Sequence, residues 1–188
     1  NIFKETTFTN SNLSSITLAG LVNNLNDGMM WGLLPIMLAS LSFSLTDIGF
    51  LAALYPAVWG LGQLFTGLMA DKYSKKGLLI IGMILQAIGI FIIAYFASYN
   101  MILLATILLG LGTALVYPTF LAAIADYSHP KQRAECIGIY RLWRDLGYAI
   151  GALGSAIIAD LYGLQTSFKV IAFVTLAAGL QIVFRMKN

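Results

Sequence analysis

Charge is what this sequence has least of. Only 10% of its 188 residues are Asp, Glu, Lys or Arg while 59% are hydrophobic, and a soluble chain of this length needs far more polar surface to stay dispersed. Disorder is excluded as well, because aromatic residues make up 12% of the chain and a disordered segment has few of them. Cysteine occurs once, at Cys136, which removes any intrachain disulfide framework and any cysteine-rich metal site. Its ordinary reading is a small buried thiol. Histidine also occurs once, at His129 ahead of Pro130; it reads as a solvated loop residue, with a pH sensor as the alternative. There is no Walker-type phosphate loop, no glycine fingerprint after a strand, and no cluster of His or Cys ligands, so neither ATP hydrolysis, nor a metal, nor a cofactor is expected. No nucleophile stands beside a base, and the chain is not expected to be an enzyme. The net charge of +3 carries no nucleic-acid reading, because the basic residues lie between apolar runs and form no basic face.

What the chain has in quantity is apolar length. It allows about six crossings of a bilayer at roughly 20 residues each, and the runs fall at 13–41, 47–70, 78–97, 101–125, 134–159 and 166–184. The expected fold is therefore an all-α membrane protein with six spans in residues 13–188, after a polar lead-in or linker at residues 1–12. No short leader with a small-residue cleavage site precedes the first run, and no signal peptide is expected. The turn at Ser98-Tyr99-Asn100 is short, so the third and fourth spans should be antiparallel neighbours. Pro35, Pro56 and Pro118 lie inside spans, where each removes a backbone hydrogen bond and implies a kink or a re-satisfied carbonyl. Lys4, Lys72, Lys75, Lys76, Lys131, Arg133, Arg185 and Lys187 fall on one side of this topology and only Lys169 near the other. The positive-inside rule then places both termini in the cytoplasm.

Polar residues inside the spans are costly in hydrocarbon, about 2.5 to 3.5 kcal/mol for a central charge on insertion scales, so few survive there without a use. Asp27 lies roughly 20 Å into the first span, near the membrane midplane. Gly20, Asn23, Asn24, Asp27 and Trp31 recur at helical spacing as one polar stripe ending in an aromatic. One reading is a cavity wall on which Asp27 binds a cation or carries a proton; the other is a buried carboxylate that hydrogen-bonds to its Asn neighbours or to an adjacent helix. A second constellation is Arg141, Arg144 and Asp145 in the fifth span. Arg141 and Asp145 are four apart and can pair along one face, and the excess arginine suits an anionic solute group, the acid of another helix, or an interhelical lock with Asp71. Tyr140 and Trp143 read as packing or as solute contacts. Tyr117, Tyr55 and Gln63 are further cavity candidates. Gly147, Gly151, Ser155 and Ala159 place a small residue at every fourth position, and Gly110 and Ala114 repeat the device in the fourth span, both read as helix-packing grooves. The third and sixth spans, with Gln86 and Gln181 as their main polar residues, read as lipid-facing supports.

Between the second and third spans runs Gly67-Leu68-Met69-Ala70-Asp71-Lys72-Tyr73-Ser74-Lys75-Lys76-Gly77. Its glycine permits close helix approach, its aspartate ends a span, and its lysines meet an anionic leaflet. This stretch resembles the signature loop of the major facilitator superfamily at Gly67, Asp71, Lys72, Lys75 and Lys76, with Ser74 where the family usually has glycine. The resemblance continues through Gly110-Leu111-Gly112 and Pro118, Arg133-Ala134, and Tyr140-Arg141-Leu142-Trp143-Arg144-Asp145-Leu146-Gly147. The opening Asn23-Asn24-Leu25-Asn26-Asp27-Gly28 with Trp31 and Pro35 resembles the start of the C-terminal half of a prokaryotic member. The resemblance implies two inverted three-helix repeats forming half of a secondary transporter that moves a small solute across the membrane by alternating access, coupled to an ion such as the proton. It also implies a cytoplasmic gate of Gly67, Asp71, Lys72, Lys76, Asp126 and Arg133, with Lys72 meeting Asp126. The partners expected are the lipid bilayer, a small solute, protons and a second six-helix half; the location is a prokaryotic inner membrane. Asn1 is not an initiator methionine, so a piece of a longer protein or one chain of a two-part carrier is expected, with a self-pairing half as the alternative. An uncoupled carrier and a non-transporting scaffold or receptor of the same fold remain open alternatives, and the solute and its direction are not specified.

Overall fold

The computed structural model describes residues 1–187 and is helical throughout, with no strand among the described residues. A short helix α1 (Ile2–Lys4) runs into a π-helical segment (Glu5–Thr9), and six long helices follow: α2 (Ser11–Ser40), α3 (Leu45–Lys72), α4 (Lys75–Tyr95), α5 (Tyr99–Tyr127), α6 (Arg133–Tyr162) and α7 (Leu164–Arg185). Each expected span is one of these helices. The starts lie one to three residues earlier than apolar counting places them, because polar caps precede the apolar runs. The side chain of Asn10 accepts from the N–H groups of Asn12 and Leu13, Ser44 accepts from Asp47, and Ser74 accepts from Gly77, which satisfies donors that the first helical turn leaves free. Ser74, standing in place of a glycine, thus starts α4. At the other end of the bundle Gly163, at φ 90°, turns α6 into α7 in a single residue, a backbone conformation that costs a side-chain-bearing residue.

By length and composition α3, α4, α5 and α7 can each cross a membrane. Helices α2 and α6 are as long, at 30 residues each, but their Asn, Asp and Arg residues lower their hydropathy. The chain ends, the α3–α4 loop and the α5–α6 loop lie together at what we term the basic end.

Helix α2 packs along α6, α5 along α3, and α4 along both α5 and α7. Exchanging α2 with α5, α3 with α6 and α4 with α7 converts the first pairing into the second, which is the pattern of two inverted three-helix repeats. Glycines form the seams. A Cβ at Gly147 or Gly151 of α6 would collide with the Leu21 or Leu25 carbonyl of α2, and one at Gly28 with the Tyr148 carbonyl. In the other repeat Gly110 of α5 faces Val58 and Tyr55, and Gly62 of α3 faces Ala114. The small-residue grooves expected on α5 and α6 are these seams.

One expectation needs correction. Residues 1–12 are not a surface linker: Thr6 is fully buried and its hydroxyl donates to Cys136 Sγ at 3.5 Å, while Phe3 packs on the Trp143 ring. Tertiary docking on α6 orders a segment too short to be helical alone. Helices α4 and α7 bury one face in the bundle and expose an apolar one at Ile81, Ile88, Phe173 and Leu180, as the reading of them as supports expects.

Candidate transport site

Two apolar clusters fill the bundle, one around Leu33, Leu51, Ile93 and Phe168, the other around Ile16, Leu79, Phe120 and Ile182. Between them lies a polar layer. The Asn26 amide donates to Gln86 Oε1 at 2.8 Å, Gln86 Nε2 donates to Asn23 Oδ1 at 2.8 Å, and the Thr175 hydroxyl donates to Asn26 Oδ1 at 2.7 Å. Asn23 Nδ2 donates in turn to Asn24 Oδ1 at 3.3 Å. This network ties α2 to α4 and α7, and Gln86 and Thr175 are fully buried in it.

The stripe read on α2 therefore divides. Asn23 turns to α4, and Gly20 lies beneath the Tyr140 ring of α6. Asp27 turns the opposite way, to α3 and α5, where the Tyr55 hydroxyl donates to its Oδ1 and the Thr113 hydroxyl lies 3.1 Å from the Tyr55 oxygen. Asp27 is 5% exposed. Its contacts follow the reading in which it hydrogen-bonds to an adjacent helix, and its partner is Tyr55 rather than an asparagine. It is covered by Tyr55 and stands beneath the bundle surface, not on an open wall.

Above it the surface is aromatic. Trp31, 46% exposed, packs on Tyr55 at 6.4 Å between ring centroids; Tyr55 packs on Trp59 at 6.1 Å, and Trp59 on Tyr117 at 5.3 Å. The row crosses from α2 over α3 to α5. Trp59 Nε1 is buried without a partner among the described residues. Sequence reading passed over Trp59, although Tyr55, Trp59 and Gln63 follow at intervals of four and so share one face of α3. Gln63 is half-buried on that face. Asn26, Gln86 and Thr175 were also not grouped, because a contact between distant helices leaves no local spacing.

The arginine constellation pairs differently from expectation. Asp145 accepts from its neighbour Arg144, at 2.8 Å from Nε and 2.7 Å from Nη2, and not from Arg141. The long guanidinium stem folds along the helix to reach the adjacent carboxylate. Arg141 and Asp145 are exposed and Arg144 half-buried. Tyr140 is buried against Phe120, and Trp143 Nε1 donates to Thr7 Oγ1 at 3.1 Å, so both pack within the bundle. At the basic end Asp126 pairs with Lys75 at 2.8 Å and not with Lys72. Lys72 closes α3, whereas Lys75 opens α4, the helix that packs along the α5 that carries Asp126. Asp71, Lys72 and Arg133 are exposed, and Gly67 and Lys76 half-buried, around this pair.

Six long helices in two inverted triplets, with amides and a carboxyl buried on the first, define a polytopic membrane protein of the transporter class. The chain belongs to the Major Facilitator Superfamily, whose sequence pattern matches residues 16–187. It is 26% identical over 171 residues to the fosmidomycin resistance protein of Escherichia coli K12, covering 91% of this chain and 41% of that protein. It is 28% identical over 124 residues to the quinolone resistance protein NorA of Staphylococcus aureus N315, covering 66% of this chain and 32% of that one. Among solved structures, a peptide transporter POT bound to sulfate superposes with a TM-score of 0.83 at 16% identity over 90% of this chain and 36% of the other. A bacterial homologue of the human lysosomal transporter Spinster, inward-facing and occupied, superposes with a TM-score of 0.81 at 17% identity over 97% and 45%. These two likenesses establish the fold alone. The chain spans less than half the length of the relatives it matches.

Proposed function

We propose that this chain is one six-helix half of a secondary transporter that moves a small organic solute by alternating access, with Asp27 carrying the coupling proton or cation. The observation that carries this reading is the setting of Asp27. It is buried sixteen residues into α2 from Ser11, about 24 Å at roughly 1.5 Å per residue, and has a hydroxyl partner but no cationic one among the described residues. A carboxyl at that depth without a counter-charge is disposed to take up a proton or a cation. The aromatic row over it supports a flat, largely apolar solute, since such rings line small-molecule sites. The names of the two resistance proteins support export of drug-like compounds. Tyr117, Gln63, Arg141, Arg144 and Asp145 complete the proposed solute and ion face, and Asn23, Asn24 and Tyr140, packed inside the bundle, support it from behind. Gly67, Asp71, Lys72, Lys76, Asp126 and Arg133, with Lys75 added, form the proposed gate.

In this reading the basic end faces the cytoplasm of a prokaryotic inner membrane, and a second six-helix bundle supplies the facing wall. The test is Asp27→Asn in the full-length protein reconstituted in vesicles. Proton-gradient-driven flux of a fluorescent drug-like probe is expected to fall to background while solute exchange without a gradient persists. Unchanged gradient-driven flux removes Asp27 from coupling, and an uncoupled carrier becomes the better reading.

A further inference from the structure

Helices α6 and α7 are joined at Gly163 and clasped near it, where the Ser167 hydroxyl donates to the Ser155 carbonyl at 2.7 Å. Toward the basic end they part and uncover α2. Leu18 is 41% exposed there, on a helix whose neighbouring residues 13–17 and 19–20 are all buried. A cavity flanks it on each side. The one toward α6, about 120 Å³, is closed by Thr17, Trp143, Thr7 and Phe8. The one toward α7, about 360 Å³, is bounded by Val22, Val174, Ala177 and Gln181.

Each cavity is mainly apolar, with Thr7 and Thr17 as the polar residues of the first and Gln181 of the second. Thr17 Oγ1 and Gln181 Oε1 are buried without hydrogen-bond partners among the described residues, and Thr17 is only 3% exposed. A hydroxyl left unpaired beside hydrocarbon is unfavourable, and here each such atom lines a cleft that opens sideways toward lipid. At the mouth of the cleft Arg185 Nη2 donates to the Phe8 carbonyl at 3.3 Å and to Ser14 Oγ at 3.0 Å. Its Nε and Nη1 have no protein partner among the described residues, and a guanidinium keeps five donors in a fixed fork that suits phosphate. Lys4 precedes Phe8 by four residues in the same helical segment and the Lys187 N–H donates to Asn12 Oδ1, so both cations belong to the chain segments that meet at Arg185, with Glu5 as the acid among them. Gln181 lies one turn, about 6 Å, inward of Arg185 along α7. Moving inward, the cleft offers cationic donors, then unpaired hydrogen-bonding atoms, then hydrocarbon, which is the order of groups along a phospholipid.

We propose that the cleft where α6 and α7 part over α2 binds one anionic phospholipid, its phosphate on Arg185, its glycerol ester level with Thr17 and Gln181, and an acyl chain against Leu18. The Thr17 hydroxyl donates to the ester carbonyl, while the Gln181 amide, held by its donation to the Ser15 carbonyl at 2.9 Å, borders the glycerol region. Net positive charge at the mouth selects an anionic headgroup over a zwitterionic one. The site is on the outer wall of the bundle and does not depend on the role of Asp27.

Trp143 lines the cleft and serves as the reporter. The full-length protein with Trp143 as its sole tryptophan is placed in phosphatidylcholine vesicles, and dibrominated phosphatidylglycerol or dibrominated phosphatidylcholine is added in rising mole fraction. Quenching by the glycerol lipid is expected to saturate at low mole fraction, and quenching by the choline lipid to rise in proportion to its content. Arg185→Gln is expected to shift the saturable curve at least fivefold to higher lipid. Ala177→Phe, which fills the cleft from an exposed position and leaves Arg185 in place, is expected to abolish saturation. Identical curves for the two lipids, or saturation that survives both substitutions, overturns the site. Should Arg185→Gln fail to fold, Ala177→Phe decides alone.

Discussion

At the scale of single residues, the seams between helices and the polar layer make the sharpest predictions. Gly151 faces the Leu25 carbonyl, whereas Gly154, on the same helix, has open space where a Cβ would stand. Gly151→Leu is therefore expected to lower stability by about 1–3 kcal/mol or more, the usual range for overpacking, while Gly154→Leu leaves the thermal unfolding midpoint in detergent nearly unchanged. Equal midpoints for the two variants would contradict the α2–α6 seam. Gln86 both donates and accepts within the polar layer. Gln86→Leu is expected to cost about 0.6–1.7 kcal/mol per lost bond, the scale measured for hydrogen bonds between membrane helices, and Gln63→Leu, on the half-buried face of α3, much less. Asp27 was legible in the sequence as an intramembrane acid because hydrocarbon makes any such group conspicuous. Its partner was not, because Tyr55 lies 28 residues away on another helix.

At the scale of elements, helix existence followed from apolar length, and helix partnership did not. The α3–α4 loop shows why. Its lysines are almost interchangeable in sequence, yet Lys72 ends one helix and Lys75 begins the next, and only the latter runs beside Asp126. A double-mutant cycle on Lys75 and Asp126 is expected to give a coupling of about 0.2–1 kcal/mol, the range such cycles measure for exposed pairs, against none for Lys72 and Asp126. Coupling at Lys72 in place of Lys75 would reject the observed register of α4 on α5. The resemblance of this loop to a family signature located the proposed gate, whereas the packing of α4 along α5 chose which lysine pairs with Asp126.

At the scale of the whole molecule, the bundle leaves the apolar faces of α3 and α6 uncovered. Leu61, Leu64, Phe65 and Leu68 on α3, and Leu153 and Leu161 on α6, are between 65% and 71% exposed. Helix α7 exposes Phe173 to a comparable degree, but on the wall away from the aromatic row. If a second bundle completes the transporter against α3 and α6, spin labels at Leu64 and Leu153 should lose several-fold in collision rate with lipid-dissolved oxygen when that bundle is present. A label at Phe173 should not change. Loss at Phe173 alone would place the second bundle on the wrong wall and remove the facing surface that the proposed solute path requires.

The sequence by itself determined the class of environment, the six helices, their alternating direction and the presence of an acid at membrane depth. These rest on local quantities: apolar length, cap residues, prolines and the distribution of lysine and arginine. Tertiary structure alone decided that Asp27 turns to Tyr55, that Asn23 and Asn26 meet Gln86, and that α6 parts from α7 over Leu18. Those outcomes depend on how helices distant in sequence are rotated against one another, and in a chain where lipid and protein interior are equally apolar, no pattern along one helix records which face meets which.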